Sequence, residues 1–271
     1  MIKKFIVAAA LITGLILSAH FLHLAFTSAS AQTAQDDSSM VKEADRSIDN
    51  VAFGPGEKLN YDIGYGFINA GSATLEVTDL IEYNNRPCFL IQSTANSNKF
   101  FSSFYRVEDR VKSIIDAAGL YSWKFEKYLS EGNYKAQTAY GFDQSNHSVF
   151  FGRDTLPVAP FVQDALSILY YIRTQNLKVG QSVYVDNFTD GQSYKMEIRV
   201  HRKELVKVKA GRFDCIVVEP LLLTSGIFKH EGKLTVWLTD DRLKLPVLMK
   251  SKVLVGSITA ELTNYRLGEI L

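Results

Sequence analysis

Alternation of apolar and polar residues is the dominant pattern along this chain. It is most regular from Lys58 onward, where apolar side chains alternate with polar residues and glycines. The apolar positions there are Leu59, Tyr61, Ile63, Tyr65 and Phe67. A period of two places one face of a strand in a core. The same period recurs over residues 73–77, 196–200 and 258–262, so the pattern predicts a mainly β protein.

Turn-forming residues separate these runs at short intervals, which is typical of antiparallel strands joined by hairpins. The predicted turns are residues 84–87, 131–133, 143–146, 190–191 and 210–211. We therefore expect an antiparallel, strongly curved sheet or half-open barrel.

One segment after Pro160 has a different period. Its apolar residues recur at intervals of three and four, which predicts an amphipathic helix with Asp164 in its first turn. The apolar residues are Val162, Ala165, Leu166, Ile168, Leu169 and Ile172. The helix could mark a seam between two domains. We favour one sheet with this helix as its cover, since a single helix of this size cannot bury a core of its own.

The N-terminus has the features of an export signal. Lys3 and Lys4 precede an uncharged stretch over residues 5–17, and the small residues Ala29–Ala31 fit a signal peptidase site. We expect residues 1–31 to be a signal peptide, residues 32–51 a flexible polar leader and residues 52–271 a single β-rich domain. The alternative is an uncleaved anchor; after cleavage no transmembrane span would remain. Both interpretations place the domain outside the cytoplasm.

Charge and cysteine content narrow the function classes. Loss of Lys3 and Lys4 leaves 28 basic against 29 acidic residues, and this balance gives no basic surface for nucleic acid. Cys88 and Cys215 each lie in an apolar run, which favours free, buried thiols. A disulfide between them is the alternative in an exported protein.

Catalytic and metal-binding patterns do not stand out. We expect no cofactor and no metal site, because neither His147 nor His201 has a metal-ligand spacing. Asp240, Asp241 and His230 are the only residues that suggest a hydrolase. Adjacent strand residues point to opposite faces, so a hairpin turn explains the two aspartates better.

Apolar residues in possible loops indicate a binding site instead. The candidate ligand-binding residues are Phe101, Phe104, Ile227 and Phe228, each close to small or polar residues. Such side chains can line the mouth of a small barrel. Ordinary core packing would explain them as well.

Four stretches of the chain resemble one family. They are GEKLNYDIGYGFINAGSATLEV from Gly56, FVQDALSILYYIRT from Phe161, AGRFDCIVVEP from Ala210, and GKLTVWLTDDRLKLPVLMKSKV from Gly232 followed by GSITAELT. Together they are similar to the domain of unknown function 3108 family over nearly the whole mature chain. The resemblance implies a bacterial, exported, β-rich protein and supplies no catalytic residue.

Three functions follow from these observations. The first is a non-catalytic protein of the periplasm or cell envelope that binds a lipid or other hydrophobic ligand in a curved sheet. The second is an envelope assembly or scaffold factor that binds a protein partner through a sheet edge or an apolar patch. The third is a hydrolase of unknown substrate.

Overall fold

The structure, a computed structural model, describes residues 46–221, 234–252 and 256–271. In these ranges the chain forms fourteen strands and two short helices. The strands are β1 (Lys58–Tyr65), β2 (Ile68–Tyr83), β3 (Arg86–Ser97), β4 (Glu108–Asp116), β5 (Ser122–Glu131), β6 (Tyr134–Asp143), β7 (Ser148–Phe151), β8 (Asp154–Pro157), β9 (Ser182–Thr189), β10 (Gln192–Val208), β11 (Gly211–Pro220), β12 (Leu234–Thr239), β13 (Pro246–Lys252) and β14 (Ser257–Arg266). The helices are α1 (Lys99–Ser102) and α2 (Ser167–Arg173).

All fourteen strands belong to one antiparallel sheet that does not close into a barrel. Its order is β8-β7-β6-β5-β4-β3-β2-β1-β14-β13-β12-β11-β10-β9, so β8 and β9 are the terminal strands. This confirms the predicted fold class. Strands that are consecutive in sequence pair with each other, except β8 and β9 at the two edges, and β1 also pairs with β14. This order gives the meander expected from the short turns.

A connecting segment bridges the gap between the two halves of the sheet. Ser122 at the start of β5 donates its backbone N–H to the carbonyl of Val162 at 3.1 Å. On the other side, Gln163 donates to the carbonyl of Asp186 at 2.9 Å and accepts from Phe188 at 2.8 Å. Residues 162–163 therefore tie β5 to β9 and cover part of the terminal edge, which would otherwise present unpaired backbone groups.

The alternation in the first strand has the predicted phase but ends earlier than expected. Leu59, Tyr61 and Ile63 are buried. Phe67 was expected on the same face, and that expectation is wrong. The strand ends at Tyr65, Gly66 adopts a positive φ of 60°, and Phe67 is fully exposed in the turn, because the hairpin to β2 reverses the chain there.

The predicted helix is shorter than its apolar pattern. All six residues of the pattern are buried, but α2 begins only at Ser167. The carboxylate of Asp164 accepts the backbone N–H groups of Leu166 and Ser167 at 2.7 and 2.8 Å. It thereby satisfies two N–H groups that a helix start leaves without partners. The residues before it pair with β5 and β9 instead of continuing the helix.

A buried ion pair fixes α2 to the sheet. The guanidinium of Arg173 donates to both carboxylate oxygens of Glu57 at 2.7 Å, and also to the carbonyls of Ala52 and Leu243 at 2.8 and 3.1 Å. Both charged side chains are 1% exposed. This end of the strands carries α2 and the loop with Leu243, and we call it the α2 end.

The last residues of the predicted leader contact the sheet. Arg46 donates to the carbonyls of Gly119 and Leu120 at 2.7 and 3.1 Å. Its guanidinium also lies over the ring of Phe161 at 4.6 Å. Residues 1–31, with the predicted signal, lie outside the described ranges. Within those ranges no helix has the length and apolarity needed to cross a bilayer.

Cys88 and Cys215 are buried and free. Burial raises the pKa of both thiols to about 12. They therefore remain protonated at neutral pH and pack as small apolar side chains.

Candidate functional site

The helix α1 lies at the opposite end of the strands from α2, beside the hairpin of β1 and β2. The pairing of Gly71 with Ser97 and of Ile68 with Tyr65 places α1 and the turn at Gly66 together. We call this side the α1 end. Asn98 holds α1 there, because its side chain accepts from Phe101 N at 2.9 Å and donates to the carbonyl of Asn69 at 2.7 Å.

Phe101 in α1 and Phe104 just after the helix, the two predicted site residues here, have different environments. Phe101 is 6% exposed and packs inward, whereas Phe104 is 60% exposed. Their ring centroids are 6.1 Å apart, and Phe100, which is 64% exposed, contacts both rings at 5.5 and 5.0 Å. The structure thus brings Phe101 and Phe104 together. Ile227 and Phe228 lie outside the described residues, so their predicted position stays a prediction.

A narrow apolar cavity opens beside Phe101. Its volume is about 30 Å³, which is close to the space of one water molecule. The lining residues are Ile63, Ala70, Gly71, Ser72, Ala95, Asn96, Ser97, Phe101, Tyr105 and Val107. The close approach of β2 to β3 depends on Gly71, since a Cβ there would lie 2.1 Å from the carbonyl oxygen of Asn96. The cavity can hold the end of an apolar group but not a whole acyl chain.

Exposed apolar side chains lie at the same end of the sheet as this cavity. Phe100, Phe104, Phe67 and Ile68 are all more than half exposed. Because the hairpin of β1 and β2 and the helix α1 share one end, these residues form a patch of apolar surface at the α1 end. Apolar surface gathered beside a cavity is typical of a binding site.

Next to the cavity lies a buried cluster of carboxyl groups that the sequence patterns did not indicate. Asp109 on β4 and Glu131 on β5 are each 2% exposed. Lys127 on β5 binds Asp190 at 2.8 Å, and the hydroxyl of Tyr140 donates to the same carboxylate at 3.3 Å. The phase of β4 could have revealed Asp109, because it falls on the inward side with Val111 and Ile115.

The hydrolase candidates have structural roles. Asp241 accepts hydrogen bonds from Thr239 Oγ1 and from the backbone N–H groups of Leu243 and Lys244 at 2.8, 2.9 and 3.0 Å. Asp240 pairs with Lys203 at 2.6 Å. The turn interpretation is therefore confirmed for both aspartates, and His230 lies outside the described residues.

The remaining histidines also have ordinary environments. His201 Nε2 lies 2.5 Å from Glu219 Oε2 on the neighbouring strand, and His147 lies in the turn between β6 and β7 with a φ of 50°. Among the described residues, no group of three or more histidine, cysteine or acidic side chains could hold a metal ion.

Comparison with solved structures supports the fold. The structure is similar to a β-barrel-like protein of the family of unknown function DUF1849 from Brucella abortus, with a TM-score of 0.52 and 9% identity over 81% of this chain and all of that one. A protein provisionally assigned as a lipoprotein from Parabacteroides distasonis gives a TM-score of 0.37 at 12% identity, over 82% of this chain and all of that one. A protein from Bacteroides fragilis, provisionally assigned as exported and with a YmcC-like fold, gives 0.31 at 13%, over 81% of this chain and 99% of that one. The Brucella abortus match, at 9% identity, shows the fold alone.

Sequence comparison identifies the family. Among curated proteins, no significant match was found. A family model described as a protein of unknown function, DUF3108, matches residues 60–263. This range includes most of β1, the α1 end, α2 and most of β14. The chain belongs to the DUF3108 family.

Proposed function

We propose that this protein is a non-catalytic protein of the cell envelope, working in the periplasm, that binds a lipid acyl chain or a similar hydrophobic group at the α1 end. The observation that carries the proposal is the apolar cavity lined by Phe101, whose ring contacts the exposed rings of Phe100 and Phe104. The export signal expected in residues 1–31 supports the location.

The cavity size determines how such a ligand would bind. A volume of about 30 Å³ accommodates one chain terminus at most. The remaining length of the ligand would lie across the exposed rings of Phe100 and Phe104, where it would remove apolar surface from water. Burial of apolar surface stabilises by about 25 cal/mol per Å², so the exposed patch can supply most of the binding free energy.

The interior of the sheet argues against a ligand held deep inside. The side chains that face inward form one continuous core. In the order of the sheet, this core extends from β1 through β14 to β9. Phe53 packs edge-to-face against both Phe89 and Tyr170, so this core extends to the α2 end. We therefore place the ligand at the α1 end and not in the middle of the sheet.

An assembly or scaffold factor is the second candidate function. The same exposed phenylalanines would suit an apolar segment of an envelope protein partner. The two functions differ in what co-purifies with the protein, and one experiment separates them.

The test is analysis of native protein exported to a bacterial periplasm and purified without detergent. Organic extracts are examined by mass spectrometry for the wild type and for the double variant Phe100→Ser/Phe104→Ser. The matched control is Tyr184→Ser/Leu205→Ser, whose two side chains are exposed to a similar degree on β9 and β10. We expect lipid in the wild type and the control, and at least a tenfold loss in the double variant.

A binding titration covers the case of lipid lost during purification. A fatty acid labelled with pyrene should bind the wild type and the control variant but not Phe100→Ser/Phe104→Ser. Absence of lipid together with absence of binding would contradict the proposal. A co-isolated protein that disappears in the double variant, with no lipid, would instead favour the scaffold function.

A further inference from the structure

The buried carboxyl pair at the α1 end has an arrangement that packing alone does not explain. Asp109 and Glu131 lie on neighbouring strands, both on the inward face, and close enough for their carboxyl groups to share a proton. Asp109 Oδ1 accepts from the backbone N–H of Ser130 at 2.9 Å. In the part of the chain that the structure describes, Asp109 Oδ2 and Glu131 Oε1 have no hydrogen-bond donor.

A shared proton accounts for this contact. Ionised carboxylates only accept hydrogen bonds, so two of them can bond to each other only when at least one is protonated. Burial raises the pKa of Asp109 to about 6 and that of Glu131 to about 8, and the nearby charge of Asp109 adds to the effect on Glu131. The two groups titrate as a pair.

The surrounding charges cannot neutralise a fully ionised pair. The titratable and charged groups that face it are Lys127 on β5, Asp190 in the turn between β9 and β10, Tyr105 before β4 and Tyr134 on β6. Lys127 already binds Asp190 at 2.8 Å. One lysine therefore faces three carboxyl groups, and loss of the shared proton leaves excess negative charge away from water.

The pair is connected directly to the wall of the cavity. Val107 lines the cavity and forms an isolated β-bridge with Glu131. The next residue, Gly132, donates its backbone N–H to the carbonyl of Arg106 at 2.7 Å. The ring of Tyr105, which also lines the cavity, lies so close to Gly132 that a Cβ there would be 2.7 Å from it. Electrostatic repulsion between the ionised carboxylates of Asp109 and Glu131 is therefore transmitted to residues 105–107.

We propose that Asp109 and Glu131 form a proton-operated latch. While the two carboxyl groups share a proton, the segment from Asn98 to Val107 stays packed against β2 and β3. Loss of that proton releases the segment. Groups with a raised pKa in the folded state contribute stability that is present at low pH and lost as the pH rises through that pKa. The segment is therefore closed at mildly acidic pH and opens as the pH rises through about 8. The latch concerns the wall of the proposed lipid site but does not require a ligand.

Hydrogen–deuterium exchange on delipidated protein tests the latch. Protection of residues 98–107 is compared at pH 6 and pH 9 after correction for intrinsic exchange rates. We expect roughly tenfold faster corrected exchange at pH 9, since a tenfold change corresponds to one pKa unit. Exchange in β12 and β13, remote from the pair in the sheet order, serves as the internal reference.

Two variants make the result specific. Glu131→Gln keeps a donor that can bond to Asp109 without a shared proton, so its exchange should not change with pH in this segment; Asp109→Asn provides the same test if Glu131→Gln folds poorly. The control is Glu126→Gln, which removes a partly exposed carboxylate of β5 whose partner, Lys124, lies outside the segment, and it should behave as the wild type. Exchange independent of pH in the wild type, or the same pH response in Glu131→Gln and Asp109→Asn, would overturn the latch.

Discussion

The two ends of the sheet bury charged groups in opposite ways. At the α2 end, Arg173 and Glu57 are opposite charges, and the guanidinium also reaches two backbone carbonyls. At the α1 end, Asp109 and Glu131 are like charges near a lysine that already has a partner. A buried pair of opposite charges is stable over a wide pH range, whereas a buried pair of acids depends on a proton.

Exposure of the aromatic side chains follows the same division. At the α2 end Phe53 and Tyr170 pack against each other and under the Arg173 guanidinium. At the α1 end Phe100 and Phe104 contact each other but remain largely in water. The aromatic side chains of the α2 end therefore contribute to the stability of the fold, whereas the exposed rings of the α1 end carry the binding that we propose.

The largest effect is expected from the buried ion pair. Arg173→Met should lower the free energy of unfolding by about 3–5 kcal/mol, because it leaves the Glu57 carboxylate buried without its partner. Urea unfolding followed by circular dichroism measures the change. Lys195→Met, which removes a lysine paired with Asp186 at the surface, is the control and should cost less than about 1 kcal/mol.

A second substitution refines this test. Glu57→Met in the Arg173→Met background should recover part of the loss, because the unpaired charge is then gone. If Arg173→Met alone unfolds like the wild type, the α2 end does not carry the stability that we assign to it.

An intermediate loss of stability is expected for Phe101 in α1, and a smaller one for Phe104, which follows the helix. Phe101→Ala should destabilise by about 3 kcal/mol, since Phe101 is buried and its truncation leaves a cavity. Phe104→Ala should cost less than about 1 kcal/mol, because its ring is mostly exposed. Thermal and urea unfolding of the two single variants measure the difference. Equal losses would show that Phe104 belongs to the core and would remove it from the proposed site.

The smallest expected effect concerns the pH dependence of Asp116, which lies near the α2 end. Burial alone would raise the pKa of this carboxyl, but hydrogen bonds from Arg86, the backbone of Gly119 and the indole of Trp123 lower it below its ordinary value. A lowered folded-state pKa gives stability that is present at neutral pH and lost as the pH falls through that pKa. This is the opposite sign to the pair at the α1 end.

Arg86→Gln tests this sign. It should cost about 1 kcal/mol at pH 7, where Asp116 is ionised, and less at pH 3. The free energy of unfolding from urea titrations at the two pH values is the measurement, with Arg110→Gln as a control on an exposed residue of β4. A cost that grows towards pH 3 would contradict the assignment.

Local patterns were sufficient to predict the strands and the turns. The period of two predicted β1, and the glycine, asparagine and aspartate residues at 84–85, 132 and 190–191 predicted hairpins whose backbones adopt positive φ. These features depend on neighbours in sequence, so a sequence pattern contains them. The apolar residues before and within α2 were also assigned correctly to the core. Their helical length was not, because Asp164 and the pairing of Gln163 with β9 decide where the helix starts.

The α1 end illustrates what the sequence alone could not decide. Phe101 and Phe104 have the same side chain and are three residues apart, yet only the packing of α1 against β2 and β3 buries one and exposes the other. Similarly, the sequence shows Asp109 and Glu131 twenty-two residues apart. The register that joins β4 to β5 brings them together and removes them from water. Local periodicity along the chain is enough to specify the β architecture. The environment of each charge and ring depends on the folded protein, because burial and pairing involve strands that are distant along the chain.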